Sequence, residues 1–210
     1  MPHHCWSMTS IARALTYDIR KVLSRGRDDS RARESAFDFY SATGARDVLT
    51  RLVQVIFSRR KGFVMDTFEY VKSLCQAAKD AAPEFSRTSG GVRNSLLIRI
   101  SELLCESSDV IIAANESDLT MAAENGVPGP MLDRLKLDKK RIDGISSALR
   151  EVAALPDPIG SGTRVVRPNG LVIEHIKVPL GVVAVIYEAR PNVTVDAAAL
   201  CLKTGNACVL

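Results

Sequence analysis

Two side chains in the stretch "YEARPNVT", Arg190 and Asn192, are of types and spacing that can do chemistry on an anion. An arginine guanidinium is planar and binds a carboxylate or a phosphate through two parallel hydrogen bonds. The asparagine amide two positions on is a neutral donor, or else a cap for a helix running from Val193. An ion pair with Glu188 or Asp196 is the structural alternative for Arg190. Lys203 reads as a surface charge that complements the carboxyl end of its own helix. Cys201 and Cys208 lie in apolar runs, "ALCLK" and "ACVL", with no activating neighbour to generate a thiolate. All five cysteines, with Cys5, Cys75 and Cys105, are scattered without a C-x-x-C pair. Each therefore reads as a small buried apolar group in a reducing compartment. His3, His4 and His175 have no companions at metal-ligand spacing, so no metal is expected.

These residues need a scaffold, and the local pattern describes one. "GVVAVIY" is an apolar run of strand length, expected to be central, parallel and covered on both faces. A loop from Glu188 to Asn192 follows, then a helix over "VTVDAAALCLKT" that Gly205-Asn206 ends, then a second strand beginning at "ACVL". Strand, helix, strand in this order is a crossover unit whose two strands run parallel. Ligands of such sheets lie beyond the carboxyl ends of the strands, which puts Tyr187 to Asn192 beside any bound nucleotide or substrate. The loop lacks G-x-G-x-x-G, so close approach of a pyrophosphate to glycine backbone is not argued.

Upstream, "TRVVRPNGLVIEHIKV" places two β-branched runs around Pro168-Asn169-Gly170, a hairpin signal. Four amphipathic helices are expected before it. Phe68, Val71, Leu74, Cys75 and Ala78 mark the first, with Asp66 and Thr67 as caps. Val92, Leu96, Ile100, Leu103 and Leu104 form the stripe of the second, from which Arg93, Glu102 and Glu106 fall aside. The third runs from about Ser108-Asp109 to Asn125-Gly126, after which Pro128 and Pro130 forbid continuation. Ile142, Ile145, Leu149 and Val152 mark the fourth, which Pro156 and Pro158 stop.

The 210-residue chain carries net charge +4, unevenly divided. Residues 1–64 hold 12 basic against 6 acidic side chains, and residues 65–210 hold 16 against 18. Arg13, Arg20, Lys21, Arg25, Arg27, Arg31 and Arg33 are thus read as a solvated, poorly ordered extension, and nucleic acid is not the expected partner. The change of character at "MDTFEYVKSLCQAAKD" suggests Met65 as an alternative start. No apolar run approaches the roughly 18 residues of a membrane span.

The closing words "VPLGVVAVIYEARPNVTVDAAALCLKTGNACVL", together with "LVIEHIKVPLG", "MLDRLKL", "DPIG" and "ANESDL", resemble the γ-glutamyl phosphate reductase family of the aldehyde dehydrogenase superfamily. The resemblance covers residues 65–210 and none of residues 1–64. It implies an α/β fold: a helical layer, an oligomerisation hairpin at about residues 163–178, and the first crossover unit of a parallel nucleotide-binding sheet. It implies a cytoplasmic enzyme that reduces γ-glutamyl phosphate to glutamate-5-semialdehyde with NADPH, in proline biosynthesis. Tyr187, Glu188 and Ala189 would line the nicotinamide side of the crevice, Arg190 would bind the substrate anion, and Asn192 would donate to the oxyanion of the reaction.

The family's nucleophilic cysteine falls downstream of "TGNACVL", so the resemblance implies a chain truncated before it, without turnover by itself. Cys201 and Cys208 are not expected to replace it. The alternative readings are a non-catalytic fragment that pairs with an intact reductase, and a nucleic-acid-binding role for the basic opening.

Overall fold

The computed structural model describes residues 67–187 and 190–210. The basic stretch 1–64, the Met65 start, the cap at Asp66 and the positions Glu188 and Ala189 lie outside the described residues.

Five helices come first among the described residues: α1 (Thr67–Arg87), α2 (Gly90–Glu106), α3 (Ser108–Glu124), α4 (Gly129–Leu135) and α5 (Lys139–Ala154). Strands β1 (Gly162–Val166) and β2 (Val172–Ile176), then β3 (Val182–Ala184), α6 (Pro191–Lys203) and β4 (Ala207–Val209), complete the order. Local chemistry explains the boundaries. Ser89 caps α2 by accepting from the Val92 N–H at 3.4 Å, and Asp138 caps α5 by accepting from the Arg141 N–H at 2.8 Å. Helix α5 stops at Ala154, short of Pro156.

Helix α4 is a correction to the sequence expectation of four helices. Pro128 and Pro130 do lie beyond the end of α3, but Pro130 also occupies the first turn of α4, where its missing N–H has no partner to lose.

Helices α2 and α5 pack against each other, and α6 lies across both. Phe85, Leu96, Leu97, Leu104, Ile111, Ile142 and Leu149 form the heart of this core, all at most 2% exposed. Each such side chain stabilises the fold by roughly 2 kcal/mol on burial. The stripe expected for α2 holds at Leu96, Leu103 and Leu104. Arg93, expected to fall aside from it, is 2% exposed, because its guanidinium finds an acid 64 residues away. In α1 the expected stripe fails at the amino end: Phe68, Val71 and Cys75 are exposed, and burial begins at Ala78. Ala78 and Ala82 of α1 pack on Ala207 of β4.

Two small sheets follow. Strands β1 and β2 pair antiparallel, with Val166 opposite Val172. The turn between them closes through the Gly170 N–H donating to the Arg167 carbonyl at 2.9 Å, as the Pro-Asn-Gly signal requires. Strands β3 and β4 pair parallel, Val182 opposite Ala207, with α6 as the crossover. The expectation of a long strand covered on both faces is corrected here. Only Val182 to Ala184 pair, and Val182 and Ala184 are exposed, because β4 is the one strand beside them among the described residues and α1 is in contact with this small sheet without covering both of its faces. No described helix is long and apolar enough to cross a membrane.

Candidate functional site

The turn that ends α6 fixes the strand pair to which the site is attached. Gly205 adopts φ +68, and a Cβ there would come within 2.8 Å of the Ile159 side chain, so both conformation and space call for glycine. Asn206 then accepts from the Gly181 N–H at 2.8 Å and donates to Thr204 Oγ1 at 2.8 Å, which ties the entry of β3 to the entry of β4.

At the other end of α6, Pro191 is buried and opens the helix, with Arg190 at the cap position in extended conformation. Asn192 therefore lies inside the first turn, and the expectation of Asn192 as the cap is corrected. Proline at the first helical position moves the boundary one residue earlier. The Asn192 amide instead donates to Asp196 Oδ2 at 3.2 Å, one turn along the same face. Tyr187, after β3, hydrogen-bonds through its hydroxyl to Thr194 Oγ1, so the segment leaving the strand is clasped to the helix it feeds. Arg190 is exposed and makes no ion pair with Asp196.

A cleft of about 440 Å³ opens beside this helix end, between α6 and the linker joining α4 to α5. Arg190, Asn192 and Asp196 line one side, and Asp133, Arg134, Lys136 and Arg141 the other. The linker is held by Asn115, itself 1% exposed. Its amide donates to the Leu135 carbonyl at 3.0 Å and its oxygen accepts from the Leu137 N–H at 2.7 Å. A side chain buried in α3 thus sets where Lys136 stands. Arg141 is committed locally: it donates to Asp133 Oδ1 at 3.0 Å, to the Lys136 carbonyl at 2.7 Å and to the Asp133 carbonyl. Arg134, Lys136 and Arg190 have no carboxylate partner among the described residues. The cleft is therefore net cationic, with Asp196 its one carboxylate lacking an ion pair among the described residues. Burial pushes the Asp196 carboxyl above its ordinary range, partly offset by the Asn192 hydrogen bond.

Behind α6 lies a charged cluster that sequence reasoning missed. Lys203, expected on the surface, is 4% exposed. Its ammonium donates to Asn94 Oδ1 at 2.7 Å and to the carbonyls of Ala153 and Leu155 at 3.0 and 2.6 Å. It does complement a helix carboxyl end, but that of α5 instead of its own. Burial lowers its pKa, opposed by the attraction of Asp157. Asp157 in turn receives both Nη2 bonds of Arg93, at 2.8 and 2.7 Å, while Arg93 Nη1 donates to the Thr88 carbonyl. Gly90 is needed beside this pair, since a Cβ there would meet Asp157 Oδ2 at 2.2 Å. The cluster fixes α6, and with it Arg190 and Asn192, relative to α2 and α5.

The thiols are not set for nucleophilic chemistry. Cys201 and Cys208 are buried and hydrogen-bonded to each other; that bond, with burial, pushes the Cys208 thiol far up, and against burial it draws the Cys201 thiol down, but neither lines the cleft. Cys105 donates to Ser146 Oγ at 3.2 Å, and Cys75 is exposed, against the expectation of burial. His175 is exposed on β2, and no group of metal-ligating side chains occurs among the described residues. Arg134 and Lys136 are not singled out by the sequence, and Asp196 is named there only as an ion-pair partner for Arg190. Helical spacing from Asn192 could have indicated Asp196, whereas nothing local links Arg134 and Lys136 to residues more than fifty positions away.

No family model matches the chain. It is 55% identical over 141 residues to a γ-glutamyl phosphate reductase of Xanthomonas campestris pv. campestris strain B100, covering 67% of this chain and 34% of the relative. It is 48% identical over 147 residues to the γ-glutamyl phosphate reductase of Leptospira interrogans, covering 70% and 35%. The crystal structure of γ-glutamyl phosphate reductase from Thermotoga maritima superposes with a TM-score of 0.61 at 36% identity, over 68% of this chain and 34% of that one. The Saccharomyces cerevisiae enzyme gives 0.60 at 30%, over 70% and 37%. The chain thus spans about a third of the length of the curated relatives it matches. Over that stretch it is homologous to γ-glutamyl phosphate reductases and has the fold of the corresponding part of them.

Proposed function

We propose that this chain is part of a γ-glutamyl phosphate reductase, a cytoplasmic enzyme that reduces γ-glutamyl phosphate to glutamate-5-semialdehyde with NADPH and releases phosphate. One observation carries the reading: in a chain 55% identical to such a reductase, Arg190 and Asn192 line a cationic cleft together with Arg134 and Lys136. A ligand bearing both phosphate and carboxylate is what such a cleft attracts.

The fit to a nicotinamide cofactor rests on the parallel crossover of β3, α6 and β4, which leaves Tyr187, Arg190 and Pro191 beyond the carboxyl end of β3. There Tyr187, Glu188 and Ala189 would hold the nicotinamide side. When bound, NADPH supplies the hydride. Arg190 binds the phosphate or the carboxylate of the substrate through its free fork of donors. Asn192 donates its amide hydrogen to the oxygen on which negative charge develops, and its present bond to Asp196 holds the amide in place meanwhile. Neither Cys201 nor Cys208 is the attacking thiol, because both are buried and neither lines the cleft. The unit from residue 65 to residue 210 carries this half of the reaction site, and the β1–β2 hairpin serves self-association.

The test is an absorbance assay of NADPH oxidation by the native protein that carries this sequence, with γ-glutamyl phosphate generated in place from glutamate and ATP by a kinase. Oxidation should depend on the acyl phosphate, and Asn192→Ala should lower kcat by about 100-fold to 1000-fold. A folded native protein with no dependence on γ-glutamyl phosphate would refute the proposal.

A further inference from the structure

The cations of the cleft account for an anionic ligand but not for Asp196, which stands among them. Asp133, the other carboxylate lining the cleft, is paired with Arg141 at 3.0 Å. Asp196 has no ion pair among the described residues, although Arg134, Lys136 and Arg190 share its cleft. It is held only by the neutral amide of Asn192, at 3.2 Å. A carboxylate in this position weakens the binding of any simple dianion by like-charge repulsion. A ligand that brings a cation of its own turns that repulsion into an attraction.

We propose that Asp196 receives the ammonium group of an amino-acid ligand, so that the cleft selects a zwitterionic head group over a plain dicarboxylate. The inference rests on the proposed reading of the cleft as the substrate site, and it assigns the specificity within that site. Arg190 and the two linker cations attract the acidic groups of the ligand, and Asp196 distinguishes a carboxylate flanked by an ammonium from one that is not. Asp196 is exposed on the face of α6 beside Asn192, so a ligand ammonium can reach its carboxylate and gain an ion-assisted hydrogen bond. Asn192 then has a double engagement, with one donor hydrogen fixing Asp196 and the other left for the substrate.

The experiment titrates the full chain, labelled with ¹⁵N, with inorganic phosphate, L-glutamate and glutarate, following amide shifts of α6 and of the α4–α5 linker. Glutarate is L-glutamate without its ammonium. L-Glutamate should bind about tenfold more tightly than glutarate, since an ion-assisted hydrogen bond is gained and a repulsion removed. Asp196→Asn should abolish that difference and leave phosphate binding intact. Should the variant fail to fold, the comparison of the two dicarboxylates in the unaltered chain decides the matter by itself. Equal affinities there, with phosphate still bound, overturn the role of Asp196 while the anionic cleft stands. Discrimination that persists in a folded Asp196→Asn protein overturns it as well. If none of the three probes shifts these amides, the cleft is not a substrate site and both readings fall.

Discussion

Replacing Asp157 by alanine should destabilise the fold by about 2 to 3 kcal/mol, at or just below the roughly 3 to 5 kcal/mol for leaving a fully buried charge without its partner. Arg93 is 2% exposed and places both Nη2 bonds on Asp157, at 2.8 and 2.7 Å. Its Nε is already without a partner, and Nη1 reaches only the Thr88 carbonyl. Without the carboxylate, a full positive charge stays in the interior with one acceptor. Asp157 is 38% exposed, so water entering the vacated space offsets part of the loss. Urea unfolding followed by circular dichroism measures the change, which corresponds to a fall of roughly 5 to 10 °C in Tm for a domain of this size. Arg93→Met combined with Asp157→Ala should be less destabilised than Asp157→Ala alone, because the orphaned charge has gone. The pH dependence has a definite sign. The Ile159 N–H and, against the opposing effect of burial, Arg93 hold the Asp157 carboxyl below its ordinary value of 3.8. A folded-state value below the unfolded one stabilises above the unfolded pKa, and that contribution is lost as pH falls through the folded pKa. The unaltered chain should therefore lose stability below about pH 4 more steeply than Asp157→Ala. An Asp157→Ala protein within about 0.5 kcal/mol of the parent, the usual range for a surface change, would refute the reasoning.

Further outcomes can be measured in the same way. Lys203→Met should lower stability by about 1 to 3 kcal/mol, because it strips a donor from Asn94 and from the Ala153 and Leu155 carbonyls; a Tm unchanged within error would contradict the burial of Lys203. Gly205→Ala should cost about 1 to 3 kcal/mol, read from the urea midpoint, since it meets both an unfavourable φ and the Ile159 side chain. Brief iodoacetamide treatment followed by peptide mass mapping should modify Cys75 well before Cys201 or Cys208, and early labelling of Cys208 would disprove its burial.

The sequence was most legible where a periodic apolar face met a local punctuation signal. Ile142, Ile145 and Leu149 predicted the buried face of α5, and Asn125-Gly126 and Gly205-Asn206 predicted the ends of α3 and α6. Proline caused two of the errors for one reason: it stops a helix from its interior but starts one from its first turn. That made α4 invisible and displaced the cap of α6 from Asn192 to Arg190. Long cationic side chains caused two more. Arg93 and Lys203 look like surface charges from any local window, and only Asp157 and the end of α5, brought in by tertiary packing, explain why they are inside. Of the candidate site, Arg190 and Asn192 were readable as chemistry, while the cleft they share with Arg134 and Lys136 depends on an asparagine in α3 that clips the linker into place.

Helix α1 grips the rest of the molecule from one end only. Phe85 near its last turn is 1% exposed, Ala78 and Ala82 lie against Ala207, and the turns before them present Phe68 and Val71 to water. Three methyl groups supply only a little over 2 kcal/mol of adhesion between helix and strand, at about 0.8 kcal/mol each. Fraying therefore proceeds from the amino end of α1 toward Phe85 well below the free energy of global unfolding. Amide protection along this one helix rises like a gradient, with its last two turns exchanging together with the core.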